Sequence, residues 1–244
     1  HTITLLLAVF SVGVGLGSLA CERLTGGRLE LGPSAPAALV LAALVADLAH
    51  AGAAAPGDGT IPARVVLDLL GLGLAGGVFV VPLYALLQAR SGEAERSRIV
   101  AANNVVNALF MVLAAAFALG LRSLGAELPT LLLAAGAAQL LVALAVLVRT
   151  RDFLLRVVVG ALVRLAYRVR VDGLERVPEH GPALVVANHV SYVDALLLGG
   201  LCRRPVRFVV DHRIHDAPAL RWFFRLVRAI PIAPRREDPA RLAR

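Results

Sequence analysis

The sequence predicts an α-helical bundle of five transmembrane spans followed by a cytoplasmic α/β piece, and three observations predict it. Of the 244 residues, 58% are hydrophobic and 17% charged, with a mean hydropathy of +0.76, which is too apolar for an ordinary soluble domain. The apolar residues gather into five long runs within residues 1–150, whereas residues 151–244 break into shorter apolar pieces. The charge divides at the same place: residues 1–150 hold 8 Arg against 8 acidic residues and residues 151–244 hold 17 against 9, so the whole formal charge of +8 falls on the second part. We therefore divide the chain into domains 1–150 and 151–244.

All 25 basic side chains are arginine, which reads as codon composition without mechanistic weight. Cys21 and Cys202 are too few for a disulfide framework and lack metal-ligand spacing, so both read as inert thiols in a reducing compartment. The chain begins at His1 in mid-pattern without a leader and stops at Arg244 without a terminal cap, as an internal piece of a longer protein would.

The five runs are about Ile3–Ala20, Pro36–His50, Val65–Ala89, Ile99–Leu121 and Pro129–Val148. A bilayer core takes roughly 17–25 helical residues, so the second run is the shortest candidate. Helices are required because lipid offers no partner for open backbone groups, and no run alternates as a barrel strand does. Arg23, Arg28, Arg90, Arg96, Arg98, Arg149 and Arg151 fall on one side and Arg64 and Arg122 on the other, which places residues after 150 in the cytoplasm.

Within these runs, Asn103, Asn104 and Asn107 put amides near the cytoplasmic end of the fourth span. They either line a polar substrate path or bond between helices. Asp68 is an intramembrane carboxylate, either functional or paired with Arg64 one helical turn before it. Gly71, Gly73, Gly76 and Gly77 with Pro82 suit either a rocking, broken helix or close helix packing.

In the second part, Arg151–Arg164 encloses an apolar set with arginines at 151, 156 and 164. It reads as a helix lying at the membrane interface, with a buried core helix as the other reading. Tyr167–Val171 alternates like a strand and stops at the Asp172-Gly173 turn. Leu184–Ala187 makes a second strand, ending at Asn188. Ser191 then caps a helix through Leu198, which sets His189 in the turn and Asp194 in the first helical turn facing back toward it.

That geometry lets a carboxylate orient an imidazole, and a neutral imidazole takes a hydroxyl proton as attack develops, an effect of roughly 10²–10⁴-fold. No G-x-S-x-G serine is present, so the hydroxyl belongs to the substrate. The other reading is structural: Ser191-x-x-Asp194 is close to a capping box. Farther on, Arg221, Arg225 and Arg228 form a stripe opposite Leu220, Phe223, Phe224 and Val227, suited to an anionic membrane surface. The adjoining bilayer segments argue against nucleic acid as the partner.

Asn188-His189-x-x-x-x-Asp194 resembles the first signature block of the glycerolipid acyltransferases. Val171–Pro178, Gly181–Leu184 and Arg207–Val210 resemble its surroundings, and Arg221–Pro234 is similar to the acyltransferase of bacterial 2-acylglycerophosphoethanolamine acyltransferases. The resemblance implies His189 as base, Asp194 as its orienting partner and Asn188 beside them. Ile230–Arg235 resembles the second block, which implies that Arg235 helps hold the substrate, although Pro234 stands where that block carries an acidic residue. The family's third block, a Glu-Gly-Thr motif, would lie beyond Arg244, so these residues alone are expected to be inactive. In that family an adenylate-forming domain often follows.

Gly17–Arg28 resembles the loop motif of major facilitator transporters, which makes the five spans the C-terminal part of that fold. Val80–Tyr84 and Ala101–Phe110 resemble its lysophospholipid transporter branch, known fused to such an acyltransferase. Together these resemblances imply a bacterial inner-membrane enzyme that transfers an acyl chain from acyl carrier protein or acyl-CoA to a lysophospholipid. No metal ligand spacing occurs and no cofactor is expected. The alternatives are a transporter with a non-catalytic docking tail and an acyltransferase whose membrane part is only an anchor.

Overall fold

Each of the five apolar runs becomes a long helix. The computed structural model describes residues 2–25, 30–53, 61–178, 181–191, 193–202 and 204–233. The helices are α1 Thr2–Thr25, α2 Ser34–Ala53, α3 Ala63–Arg90, α4 Arg96–Ser123 and α5 Leu128–Ala166. All five are long and apolar enough to cross a membrane, α2 by the narrowest margin. The chain divides into two compact units, His1–Thr150 and Arg151–Arg244.

In the first unit, α1 and α3 pack in the same direction through small residues. Gly13 and Gly17 of α1 meet Gly73 and Gly77 of α3, and a β-carbon on Gly77 would lie 2.6 Å from the Val14 carbonyl oxygen. The spacing of four in each helix brings two backbones together, as small-xxx-small interfaces do in membranes. Close packing is thus the reading that fits Gly73 and Gly77, and α3 runs unbroken through Pro82. Helix α2 lies antiparallel to α3: the Ser34 hydroxyl donates to the Phe79 carbonyl at 3.1 Å, and Arg64 at the start of α3 reaches Asp47 late in α2. Helix α4 buries no residue, and its Val105, Phe110, Met111 and Phe117 are exposed, a surface suited to lipid.

Two expectations for the second part are corrected. The Arg151–Arg164 segment is not a separate interfacial helix but the last turns of α5, which continues to Ala166. Neither Gly nor Pro occurs from Ala137 to Val159, so nothing in the sequence breaks it. The two expected strands, Tyr167–Val171 and Leu184–Ala187, form no ladder among the described residues. Leu184 is 87% and Val186 84% exposed, and a strand without a ladder partner is not stable as a strand.

The sheet among the described residues is a parallel pair, β1 Val209–Asp211 and β2 Ile230–Ile232, with Val209 opposite Ile230. The connection carries two short helices, α7 His212–His215 and α8 Arg221–Leu226; ahead of β1 stands α6, Val193–Leu201. Asp172-Gly173 turns as expected, with Gly173 at φ 77° leading into a 3-10 turn at Leu174–Arg176. Arginine stripes on α8 are also corrected: the helix stops at Leu226, and Arg228 takes φ 53°. Ala229 N–H bonds the Phe224 carbonyl and Arg228 N–H the Arg225 carbonyl, a Schellman ending with arginine where glycine is usual.

Candidate active site

The site is built on the entry to α6. Its first residue, Val193, donates its N–H to the Ser191 hydroxyl at 3.4 Å, and the Asp194 N–H bonds the Ser191 carbonyl at 3.0 Å. Asp194 therefore lies in the first helical turn, where a negative side chain is favoured by the helix dipole. Its Oδ2 accepts from the N–H groups of Val190 at 2.7 Å and Ser191 at 2.9 Å. The same oxygen lies 3.2 Å from His189 Nδ1. One carboxylate thus both closes the turn ahead of α6 and faces the imidazole.

The consequence is electrostatic. The Ser191 and Val190 N–H groups, more than the His189 ring, hold the Asp194 carboxyl below the usual carboxylate range. Ionised, Asp194 only accepts, so a neutral His189 ring donates to it from Nδ1 and carries its acceptor lone pair on Nε2. The His189 side chain is 68% exposed and that of Asp194 27%, so the ring is open on its far side while the carboxylate is held by the backbone.

Asn188 lies exposed beside His189. Arg235 and Pro234 lie outside the described residues. In the membrane helices, Asn103 and Asn107 donate their amides to the Tyr84 hydroxyl at 3.1 and 2.9 Å. Asn104 instead lines an open cleft with Gln88, Glu93 and Arg96. Asp68 is buried, and the pairing alternative for it is not the one formed: Arg64 bonds Asp47 across to α2 through Nε at 2.8 Å and through Nη2.

Several structural residues were missed in the sequence. Arg204 donates through Nη1 to the Pro178 carbonyl and through Nη2 to the Gly181 carbonyl, both at 2.8 Å, and so anchors the start of the segment that carries His189. The one signal for it is an arginine before Pro205. Helix α6 rests on the end of α5, where a β-carbon on Gly200 would lie 2.7 Å from the Gly160 nitrogen. Arg228 pairs with Asp152 at 3.2 Å. A second His–Asp contact, His215 Nδ1 to Asp216 Oδ1 at 3.0 Å, sits with His215 stacked on Phe224. Burial pushes the Cys202 thiol up, which suits an inert side chain.

No solved structure matches the chain. The family model described as Acyltransferase matches residues 168–243; the match encloses the His189–Asp194 pair and supports an acyltransferase part in the second unit.

Proposed function

We propose that the protein is a membrane-bound lysophospholipid acyltransferase whose transmembrane helices belong to a lysophospholipid transporter of the major facilitator type. The observation that carries the chemical half is the His189–Asp194 contact, with Oδ2 fixed by two backbone N–H groups and the far side of the ring open. In the proposed step the free hydroxyl of the lysophospholipid gives its proton to His189 Nε2 as its oxygen attacks the thioester carbonyl. The tetrahedral intermediate collapses, the C–S bond breaks, and the imidazolium returns the proton to the departing thiolate of acyl carrier protein or CoA. Asp194 holds the tautomer and stabilises the imidazolium through the step.

Asn188 and Arg235 are assigned to acceptor binding, and Asn103, Asn104 and Asp68 to the transport path. In this reading helices and enzyme share one chain, and a lysolipid delivered to the cytoplasmic leaflet meets an enzyme at that leaflet. Exposed Val157, Val158, Leu162 and Leu165 near the end of α5 favour a membrane-side position for the catalytic unit.

The test uses membranes containing the full-length protein, supplied in turn with acyl carrier protein and CoA thioesters and with lysophospholipids of differing head groups. Transfer to one acceptor class supports the reading. Absence of transfer from either donor, with uptake of lysolipid retained, favours the transporter with a docking tail.

A further inference from the structure

We propose that Arg204 is a positioning residue for the acyl-transfer site: together with Asp194 it braces the segment that carries His189 from the two ends of α6. This deepens the acyltransferase reading and rests on it for the chemistry that the placement serves.

The segment from Gly181 to Val190 has little of its own to fix it. Every residue in it is exposed, and from Pro182 to His189 the backbone makes no hydrogen bond to another described residue. Without burial or a ladder, nothing in the run offsets the entropy of ordering it. Two attachments remain. At the far end, Asp194 Oδ2 accepts from the Val190 and Ser191 N–H groups and faces the His189 ring. At the near end, Arg204 donates through Nη1 to the Pro178 carbonyl and through Nη2 to the Gly181 carbonyl, both at 2.8 Å. A guanidinium is a rigid planar fork of donors, so it sets the separation of the two carbonyls as well as binding them. Gly181 takes φ 81° between them and the run, a left-handed conformation that glycine adopts without strain.

Both attachments belong to one short, rigid stretch. Asp194 stands in the first turn of α6, a helix of nine residues and about 13 Å of rise. Arg204 follows its other end, where the Cys202 N–H closes on the Leu198 carbonyl at 3.0 Å. Gly200 lies against Gly160, which seats α6 on the end of α5 and makes it the frame from which the segment hangs. Pro205 narrows the backbone of Arg204 to the extended region, which limits the directions its side chain takes. Released at Gly181, the run would swing about its remaining hold at Val190, and His189 is the residue beside that pivot. A displacement of about 1 Å at a reacting group costs up to roughly 10²-fold in rate.

Two readouts on the full-length protein in vesicles test this, acyl-transfer kinetics and amide hydrogen exchange, each for Arg204→Ala and Arg204→Lys. Arg204→Ala is expected to lower kcat by about 10–10²-fold with KM for the lysophospholipid little changed. Arg204→Lys, a point donor that reaches one carbonyl of the pair, falls between. In Arg204→Ala, exchange protection is lost at Val190 and Ser191 while the α6 amides from Leu197 to Leu201 stay protected. Unchanged kcat, unchanged protection at Val190 and Ser191, or protection lost through α6 as well, overturns the proposal; the last outcome makes Arg204 a prop for the whole unit. A wild-type protein without acyl transfer, in which Arg204→Ala still releases Val190 and Ser191 alone, removes the acyltransferase reading and leaves the brace standing.

Discussion

Asp194 gathers three contacts on one oxygen, and that concentration gives the residue two jobs at once. Replacing it with Asn keeps the shape but weakens acceptance from both N–H groups and from the ring, so acyl transfer is expected to fall by roughly 10²-fold or more. The same geometry sets an acid limit. Because the folded carboxyl is held below its ordinary value, chiefly by the Ser191 and Val190 N–H groups, its contribution to stability is complete above the unfolded value. That contribution is lost as pH falls through the lowered folded value. Hydrogen exchange at Val190 and Ser191 should therefore stay protected at pH 5 and rise only in stronger acid; loss of protection near pH 5 would contradict the assignment.

The His–Asp pair was legible because it is local: five residues, one cap and one helical turn fix the geometry. Asp47–Arg64 was not, because a sequence does not say that α2 and α3 run antiparallel with those two residues level. Arg204 was hidden for the same reason, since it joins Pro178 and Gly181 across a long sequence separation.

At the scale of elements, the membrane helices followed from composition and length, whereas the strands did not follow from alternation. An apolar run of about 20 residues has one outcome in lipid, a helix. Leu184–Ala187 has the right residues for a strand, but only a neighbouring strand makes it one. Glycine positions give the sharpest test of the helix packing. Gly77→Val places atoms against the Val14 carbonyl and should destabilise the α1–α3 pair by roughly 1–3 kcal/mol. Gly76, with open space at its β-carbon position, should accept Ala with no loss, or a gain of about 0.5 kcal/mol. Unfolding of the two variants in micelles reads the difference; equal stability would contradict the packing. In the second unit, Gly200→Leu should displace α6 from Gly160 and reduce acyl transfer while membrane insertion is kept.

For the whole molecule, the division of charge and hydropathy near residue 150 is the feature on which the functional account depends. A neutral, apolar first part and a second part carrying the full +8 suit a bilayer domain and a piece facing anionic lipid. If the two parts act separately, His189→Ala should leave lysolipid uptake unchanged, and Asp68→Asn should leave acyl transfer unchanged when the acceptor is supplied on the cytoplasmic side. Loss of both activities in either variant would mean that the units are coupled. What the sequence did not give is the arrangement inside each unit, because it depends on contacts between helices that composition does not encode.

If His189 is the base for acyl transfer, a comparison of the full-length protein with its His189→Ala variant shows it. Labelled acyl transfer from acyl carrier protein or CoA to lysophosphatidylethanolamine is followed in membranes holding equal amounts of each. The account predicts transfer by the wild-type protein and a loss of about 10²-fold or more in the variant, with insertion unchanged; undiminished transfer in the variant would contradict it.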